Sequence, residues 1–184
     1  MTAHTPIASK PLTRITILQG QARVSAGPRV EFSTVLGSCV ATCFYDPEVE
    51  LGGMNHFLLA EPPQGHAPAA VDEHYGVYLM EVLINEMLTY GAAKHRLRAH
   101  LYGGANMRAG MAQIGTMNAD FARRFLQQEK IPLLREDLGG TSARRVEFRP
   151  AHGQVRCRTV ANTLVSETTP TPRKPAISGD VELF

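Results

Sequence analysis

Two strand-forming segments joined by a short turn constrain this chain more than anything else in it. Cys39–Tyr45 (CVATCFY) runs into the turn pair Asp46-Pro47, and Gly53–Ala60 (GMNHFLLA) follows a few residues later. β-Branched and aromatic residues on either side of a turn signal favour a chain that folds back as an antiparallel hairpin. With a loop of roughly Asp46–Gly52 centred near residues 48 and 49, Cys39 falls opposite Leu58, and His56 becomes its diagonal neighbour. Residues two apart on a strand share a face, so the thiol and the imidazole are expected on one side of the sheet. A register slipped by one residue would separate them.

The same patterning supplies the remaining elements. Thr13–Leu18, Arg29–Leu36, Leu97–Tyr102, Arg145–Arg149 and Val155–Val160 read as strands. Tyr75–Tyr90 places Val77, Met80, Leu83, Ile84, Met87 and Leu88 at helical spacing, with Gly91 as its C-cap and its methionines as core filling. Thr116 or Asn118 can cap a second helix that runs to about Lys130 and stops at Pro132. The pattern predicts an α/β (α+β) fold, a layered sandwich of mainly antiparallel β-sheet with two main helices.

The chain has 184 residues, enough for one domain with a real core, placed here at residues 13–166. Residues 1–12 are polar and aperiodic, Glu61–Val71 reads as a loop, and the Pro-, Thr- and charge-rich residues 167–184 read as a flexible tail. Nineteen basic against 17 acidic residues give a net charge of +2, which makes no case for nucleic acid. The absence of a long apolar run and of a signal-peptide core predicts a cytoplasmic protein without direct membrane insertion.

Three cysteines, Cys39, Cys43 and Cys157, are too few for a disulfide framework and are expected as free thiols. A free cysteine is usually a small buried hydrophobe, and a single histidine in a strand usually a packed or surface group. What sets Cys39 apart is its setting. Leu36-Gly37-Ser38-Cys39 puts the thiol just after a strand at a bend of small residues, where neighbouring N–H groups can converge on an oxyanion. A thiol of ordinary pKa, about 8.5, is mostly protonated at neutral pH and needs a base; His56 is the candidate.

On spacing alone a metal site of Cys39, Cys43 and His56 stays open, but no second cluster has ligand spacing, and metal is not expected. Gly103-Gly104-Ala105-Asn106 has neither of the familiar phosphate-loop spacings and reads as a tight turn lining the active-site side. Asn55 and Asn106 are expected in structural roles, His95, Arg96, Arg98 and His100 as a solvated basic face, and Asp137–Gly140 as a turn.

Several separate motifs then occur in one order. Leu36–Val40 (LGSCV), Tyr45–Pro47 (YDP), Gly52–His56 (GGMNH), Tyr102–Met107 (YGGANM), Ile114-Gly115 with Asn118, Ile131-Pro132 and Glu136–Gly140 (EDLGG) together resemble the CheD family of chemoreceptor glutamine deamidases over roughly residues 13–160. The resemblance implies a protein-glutamine deamidase that converts receptor glutamines to glutamate through a cysteine thioester, without cofactor or metal. Cys39 matches the family nucleophile and His56 its general base. A hydroxyl six positions before the cysteine completes the family's triad, typically threonine; Ser33 stands there, and Thr34 beside it is the alternative. The implied partners are the cytoplasmic helical region of methyl-accepting chemoreceptors and, in some bacteria, a CheC-type phosphatase. An interaction module with little catalysis, and a cysteine protease or transamidase, are the competing readings.

Overall fold

The structure, a computed structural model, describes residues 11–59, 73–107 and 113–160. In chain order its strands are β1 (Thr13–Thr16), β2 (Gln21–Ser25), β3 (Val30–Leu36), β4 (Val40–Asp46), β5 (Leu51–His56), β6 (Arg98–Gly103), β7 (Leu133–Leu138), β8 (Arg144–Arg149) and β9 (Gln154–Thr159). Helix α1 (Glu73–Thr89) lies between β5 and β6, and α2 (Ile114–Gln128) between β6 and β7. One sheet has the order β1-β3-β8-β9 and the other β2-β5-β4-β6-β7. Pairing is antiparallel except for β1 with β3 and β6 with β7. The expected layered, mainly antiparallel sandwich with two helices is what forms.

Side-chain alternation explains the layering. On β4, Val40 and Phe44 join the core beneath the helices, with Leu79, Met80, Leu83, Phe121 and Phe125. The residues between them, Ala41 and Cys43, join Phe32, Leu36, Met54, Val146 and Phe148 in the core between the sheets. The central hairpin is therefore buried on both faces, which is why it reads as a nearly continuous apolar run. Phe32, Phe44, Phe57 and Phe148 are 0–1% exposed, and burial of each such ring contributes about 1.5–3 kcal/mol. Gly52 and Gly53 let both neighbouring layers approach. A Cβ on Gly52 would lie 2.5 Å from the Pro150 carbonyl oxygen, and one on Gly53 2.6 Å from Leu83 Cδ1 on α1.

The turn pair after β4 also anchors the far side of the domain. The fully buried Asp46 carboxylate accepts the N–H groups of Glu48 (3.0 Å) and Ala93 (2.9 Å) and pairs with the Arg96 guanidinium at 2.8 Å. Burial alone would raise this carboxyl, but Arg96 and the two N–H donors outweigh it and hold it below the usual carboxylate range. Arg96 also pairs with Glu48, so the expected solvated basic cluster is in part an ion-pair network that ties the segment before β6 to the hairpin.

Some sequence-based boundaries differ. Gln21–Ser25 and Leu133–Leu138 are strands that the pattern does not predict. Helix α2 starts at Ile114, with no side-chain cap from its N-cap residue Gln113. Thr116 and Asn118 lie inside it. Asn106 instead serves this helix start from outside, donating to Thr116 Oγ1 at 2.8 Å and accepting the Thr116 N–H at 3.4 Å. Gly91, at φ +97°, ends α1 as expected. The predicted loop Glu61–Val71, the tail 167–184 and most of segment 1–12 lie outside the described residues. Among the described residues no helix is long and apolar enough to cross a membrane.

Candidate active site

Cys39 sits where the chain leaves one sheet for the other, between the end of β3 and the start of β4. Three successive carbonyls of this crossing are tied down. Gly37 O accepts the Ala105 N–H, Ser38 O the Asn118 amide, and Cys39 O the Gly104 N–H, each at 2.8 Å. None of these bonds uses the N–H groups of Ser38 and Cys39. The glycine turn that the sequence places on the active-site side thus lies against the backbone of Cys39. Asn118 adds a second tie by accepting the Leu59 N–H at 2.8 Å, so one amide on α2 links the cysteine segment to the chain just past β5.

The hairpin has the expected register. Cys43 pairs with Met54, and the Val40–Phe57 bridge continues the same pairing. Ala41 therefore stands opposite His56, Cys39 opposite Leu58, and the sulfur and imidazole share the face turned toward the other sheet, as diagonal neighbours. Cys39 is half-buried, whereas His56 is 7% exposed.

The ring of His56 is held from the opposite sheet. Thr34 Oγ1 lies 2.9 Å from His56 Nδ1 and donates its proton to the Ile17 carbonyl at 2.7 Å. A hydroxyl has one proton. With that proton on Ile17, the bond to the ring runs the other way: Nδ1–H donates to Thr34 Oγ1 and also faces the Ile17 carbonyl at 3.3 Å. The neutral ring is thus the Nδ1–H tautomer, and its bare lone pair is on Nε2, which is buried and without a hydrogen-bond partner among the described residues. Burial also pushes the His56 pKa down, only partly offset by the Ile17 carbonyl, which keeps the imidazole neutral and able to accept a proton.

Ser33, the hydroxyl that the resemblance puts third, does not meet the ring. β3 alternates, with Phe32 and Leu36 facing the inter-sheet core and Thr34 between them on the same face. Ser33 points the other way, paired across the sheet with Glu147. The hydroxyl on His56 is that of Thr34.

Burial raises the Cys39 thiol above its ordinary value, while its own backbone N–H acts in the opposite direction. Its S–H points to Gln19 Oε1, 3.6 Å away. The upward shift of the thiol and the downward shift of the imidazole both favour the uncharged forms. Alkylation by iodoacetamide reports the thiolate, so its rate is expected to climb through and above the ordinary thiol pKa of about 8.5, with no plateau at lower pH. A rate profile from pH 5 to 10 checks this; a plateau below pH 7 would reveal a preformed thiolate–imidazolium pair instead.

The remaining candidates have structural duties. Asn55 points to the helix side, accepting the Thr42 N–H at 2.9 Å and donating to Leu79 O at 3.3 Å. Cys43 is fully enclosed, and Cys157 is pushed up to about 11 by burial and by neighbouring Asp137. Two contributors escape the sequence reading: the Ile17 carbonyl, which no side-chain pattern reports, and Gln19, which stands outside every motif.

The family model described as CheD chemotactic sensory transduction matches residues 58–159. A probable chemoreceptor glutamine deamidase CheD from Zymomonas mobilis subsp. mobilis is 56% identical over 172 residues, covering 93% of this chain and 92% of that protein. The protein of the same description from Caulobacter vibrioides is 47% identical over 175 residues, 93% of each chain. One from Agrobacterium fabrum is 42% identical over 176 residues, covering 93% of this chain and 96% of that protein.

Proposed function

The chain belongs to the CheD family, and from that membership together with the site geometry we propose that it is a cysteine-dependent protein-glutamine deamidase acting on chemoreceptors. The observation that carries the reading is the His56 ring: Nδ1–H is committed to Thr34 and Ile17, while the bare Nε2 stands on the face it shares with Cys39. Cys39, His56 and Thr34 are the catalytic group in this proposal. Thr34 replaces Ser33 as the ring-orienting hydroxyl.

The reaction runs in two halves. His56 Nε2 takes the Cys39 proton as the sulfur bonds to the side-chain carbonyl carbon of a bound glutamine, and the carbonyl oxygen becomes an oxyanion held by the N–H groups near Ser38 and Cys39. The imidazolium returns that proton to the amide nitrogen, the C–N bond breaks, and ammonia leaves a thioester on Cys39. Nε2 then takes a proton from water as its oxygen attacks the thioester. The C–S bond breaks, the sulfur regains the proton, and glutamate is released. Throughout, Thr34 and Ile17 stabilise the imidazolium through Nδ1–H, the part played by the third residue of other triads.

The partner in this reading is the cytoplasmic helical region of methyl-accepting chemoreceptors, which places the protein in the cytoplasm; a CheC-type phosphatase is a second proposed partner. Mass spectrometry of a receptor cytoplasmic fragment tests the activity. Wild-type protein is expected to add about one dalton at particular glutamines by amide-to-acid conversion, and protein with its thiols alkylated is expected to add none. Conversion that survives alkylation would remove the cysteine mechanism. A fragment that binds and stays unconverted would turn the assignment to the adaptor.

A further inference from the structure

Gln19 stands on the lip of the thiol, in the turn between β1 and β2, and it belongs to no motif of the site. Its backbone is not free to wander. The Gly20 N–H donates to the His56 carbonyl at 2.8 Å, the Ile17 N–H to the Ser33 carbonyl at 2.9 Å, and the Leu18 N–H to Gln21 Oε1 at 3.0 Å. The turn carrying Gln19 is therefore pinned on one side to the base and on the other to the strand of Thr34. From there the Gln19 carboxamide reaches Cys39, with Oε1 3.6 Å from Sγ and exposed to solvent.

The backbone carbonyls of the site already accept hydrogen bonds from other groups. The carbonyls of Gly37, Ser38 and Cys39 serve Ala105, Asn118 and Gly104, that of Ile17 serves Thr34 and His56, and that of His56 serves Gly20. Among the described residues, Gln19 Oε1 is the acceptor that meets the thiol, and at rest the S–H is its donor. When a carbonyl carbon bonds to Sγ, that proton has gone to His56 and Oε1 loses its partner. The other substituents on that carbon lie two bonds from the sulfur, so an acceptor 3.6 Å from Sγ on the same side can come within hydrogen-bonding range of one of them. Of the two polar substituents, oxygen and nitrogen, only the nitrogen carries hydrogens to donate.

Resting on the deamidase reading, we propose that Gln19 is a specificity-determining residue: its Oε1 accepts an N–H from the leaving nitrogen of the substrate carboxamide and so selects glutamine amides over glutamate methyl esters. The bond strengthens as the nitrogen takes its third proton and becomes a charged donor, so it favours breakdown of the intermediate toward ammonia. An ester oxygen has no hydrogen to offer and meets Oε1 with lone pair against lone pair.

The test compares kcat/KM of the wild type, Gln19→Met and Gln19→Glu on a receptor cytoplasmic fragment carrying glutamine at a converted position and on the same fragment carrying glutamate methyl ester there. Met keeps the length and removes the acceptor; Glu keeps an acceptor and removes the N–H donors. Gln19→Met is expected to lose about 10- to 100-fold on the amide, as for a lost bond to a charged donor, and to keep or gain activity on the ester, where a repulsion is removed. Gln19→Glu is expected to fall between wild type and Met on the amide. Equal losses on amide and ester, or a Glu variant worse than Met, would overturn the inference and make Gln19 an oxyanion donor through its NH2 group. Unchanged kinetics in both variants would overturn it too. A wild type that converts no amide would instead overturn the deamidase reading itself, so the two failures are told apart by the wild-type lane.

Discussion

Cys39→Ala is expected to abolish deamidation, His56→Ala to reduce kcat/KM by about 10³- to 10⁴-fold, and the double variant to be no worse than Cys39→Ala alone. The sizes follow from the roles. Without sulfur there is no covalent route, and what is left is binding and the oxyanion donors. Without the imidazole the thiol must ionise unaided from a pKa already raised by burial, and ammonia must leave unprotonated. Groups that act as one unit are non-additive, because the second removal finds nothing left to remove. Thr34→Ala is expected to cost about 10- to 100-fold by releasing Nδ1–H and with it the tautomer. Thr34→Ser should recover most of that, since the hydroxyl returns, and Ser33→Ala should stay within about 3-fold, as for a side chain away from the reacting groups. Single-turnover kinetics on the receptor fragment measure all six. Additive losses for Cys39 and His56 would mean that the two groups act in separate steps, and a Ser33 effect larger than that of Thr34 would restore the position matched by the family pattern.

How far the site could be read from sequence depends on which face a residue takes. The Cys39–His56 relation was legible because both sit on one hairpin whose short turn fixes the register, and the observed pairing of Val40 with Phe57 is the one that the turn predicts. Ser33 and Thr34 lie on a different strand from His56, in the opposite sheet, and their contact depends on which way β3 faces. That signal was nevertheless present: Phe32, Thr34 and Leu36 form the alternating set that buries two large apolar groups, which assigns Thr34 to the inside. A position count from the cysteine ignores parity and chose Ser33. β2 and β7 escaped for another reason. Leu133–Leu138 (LLREDL) is a largely exposed edge strand, paired in parallel to β6, and four of its six residues are exposed, so burial leaves little period-two pattern in its composition. Gln19 was invisible because its role comes from a turn brought to the cysteine by two sheets, a juxtaposition that no local pattern encodes.

The largest stability effect is expected at Gly103, and it should reach the site directly. Gly103 has φ +108°, a conformation that a side chain strains, and a Cβ there would stand 2.1 Å from the Cys39 carbonyl oxygen. That contact is backbone against backbone, so no rotamer relieves it: either β6 moves, or the Cys39 carbonyl gives up its bond from the Gly104 N–H. Gly139 supplies the control. It also has positive φ, +80°, but nothing lies within 4 Å of an added Cβ. Gly139→Ala thus carries backbone strain alone, about 1–2 kcal/mol, whereas Gly103→Ala adds an overpacking cost of about 1–3 kcal/mol. For a chain of this size each kcal/mol lowers Tm by about 2–4 °C. Gly103→Ala should therefore melt clearly below Gly139→Ala and, at temperatures where both are folded, should also lose activity that Gly139→Ala keeps, because the displaced group is the peptide that carries the sulfur. Thermal melts and deamidation rates of the two variants side by side decide it. If Gly103→Ala proves as mild as its control in both, the glycine turn does not hold Cys39 in place, and the clamp of carbonyls around the cysteine is not what sets its position.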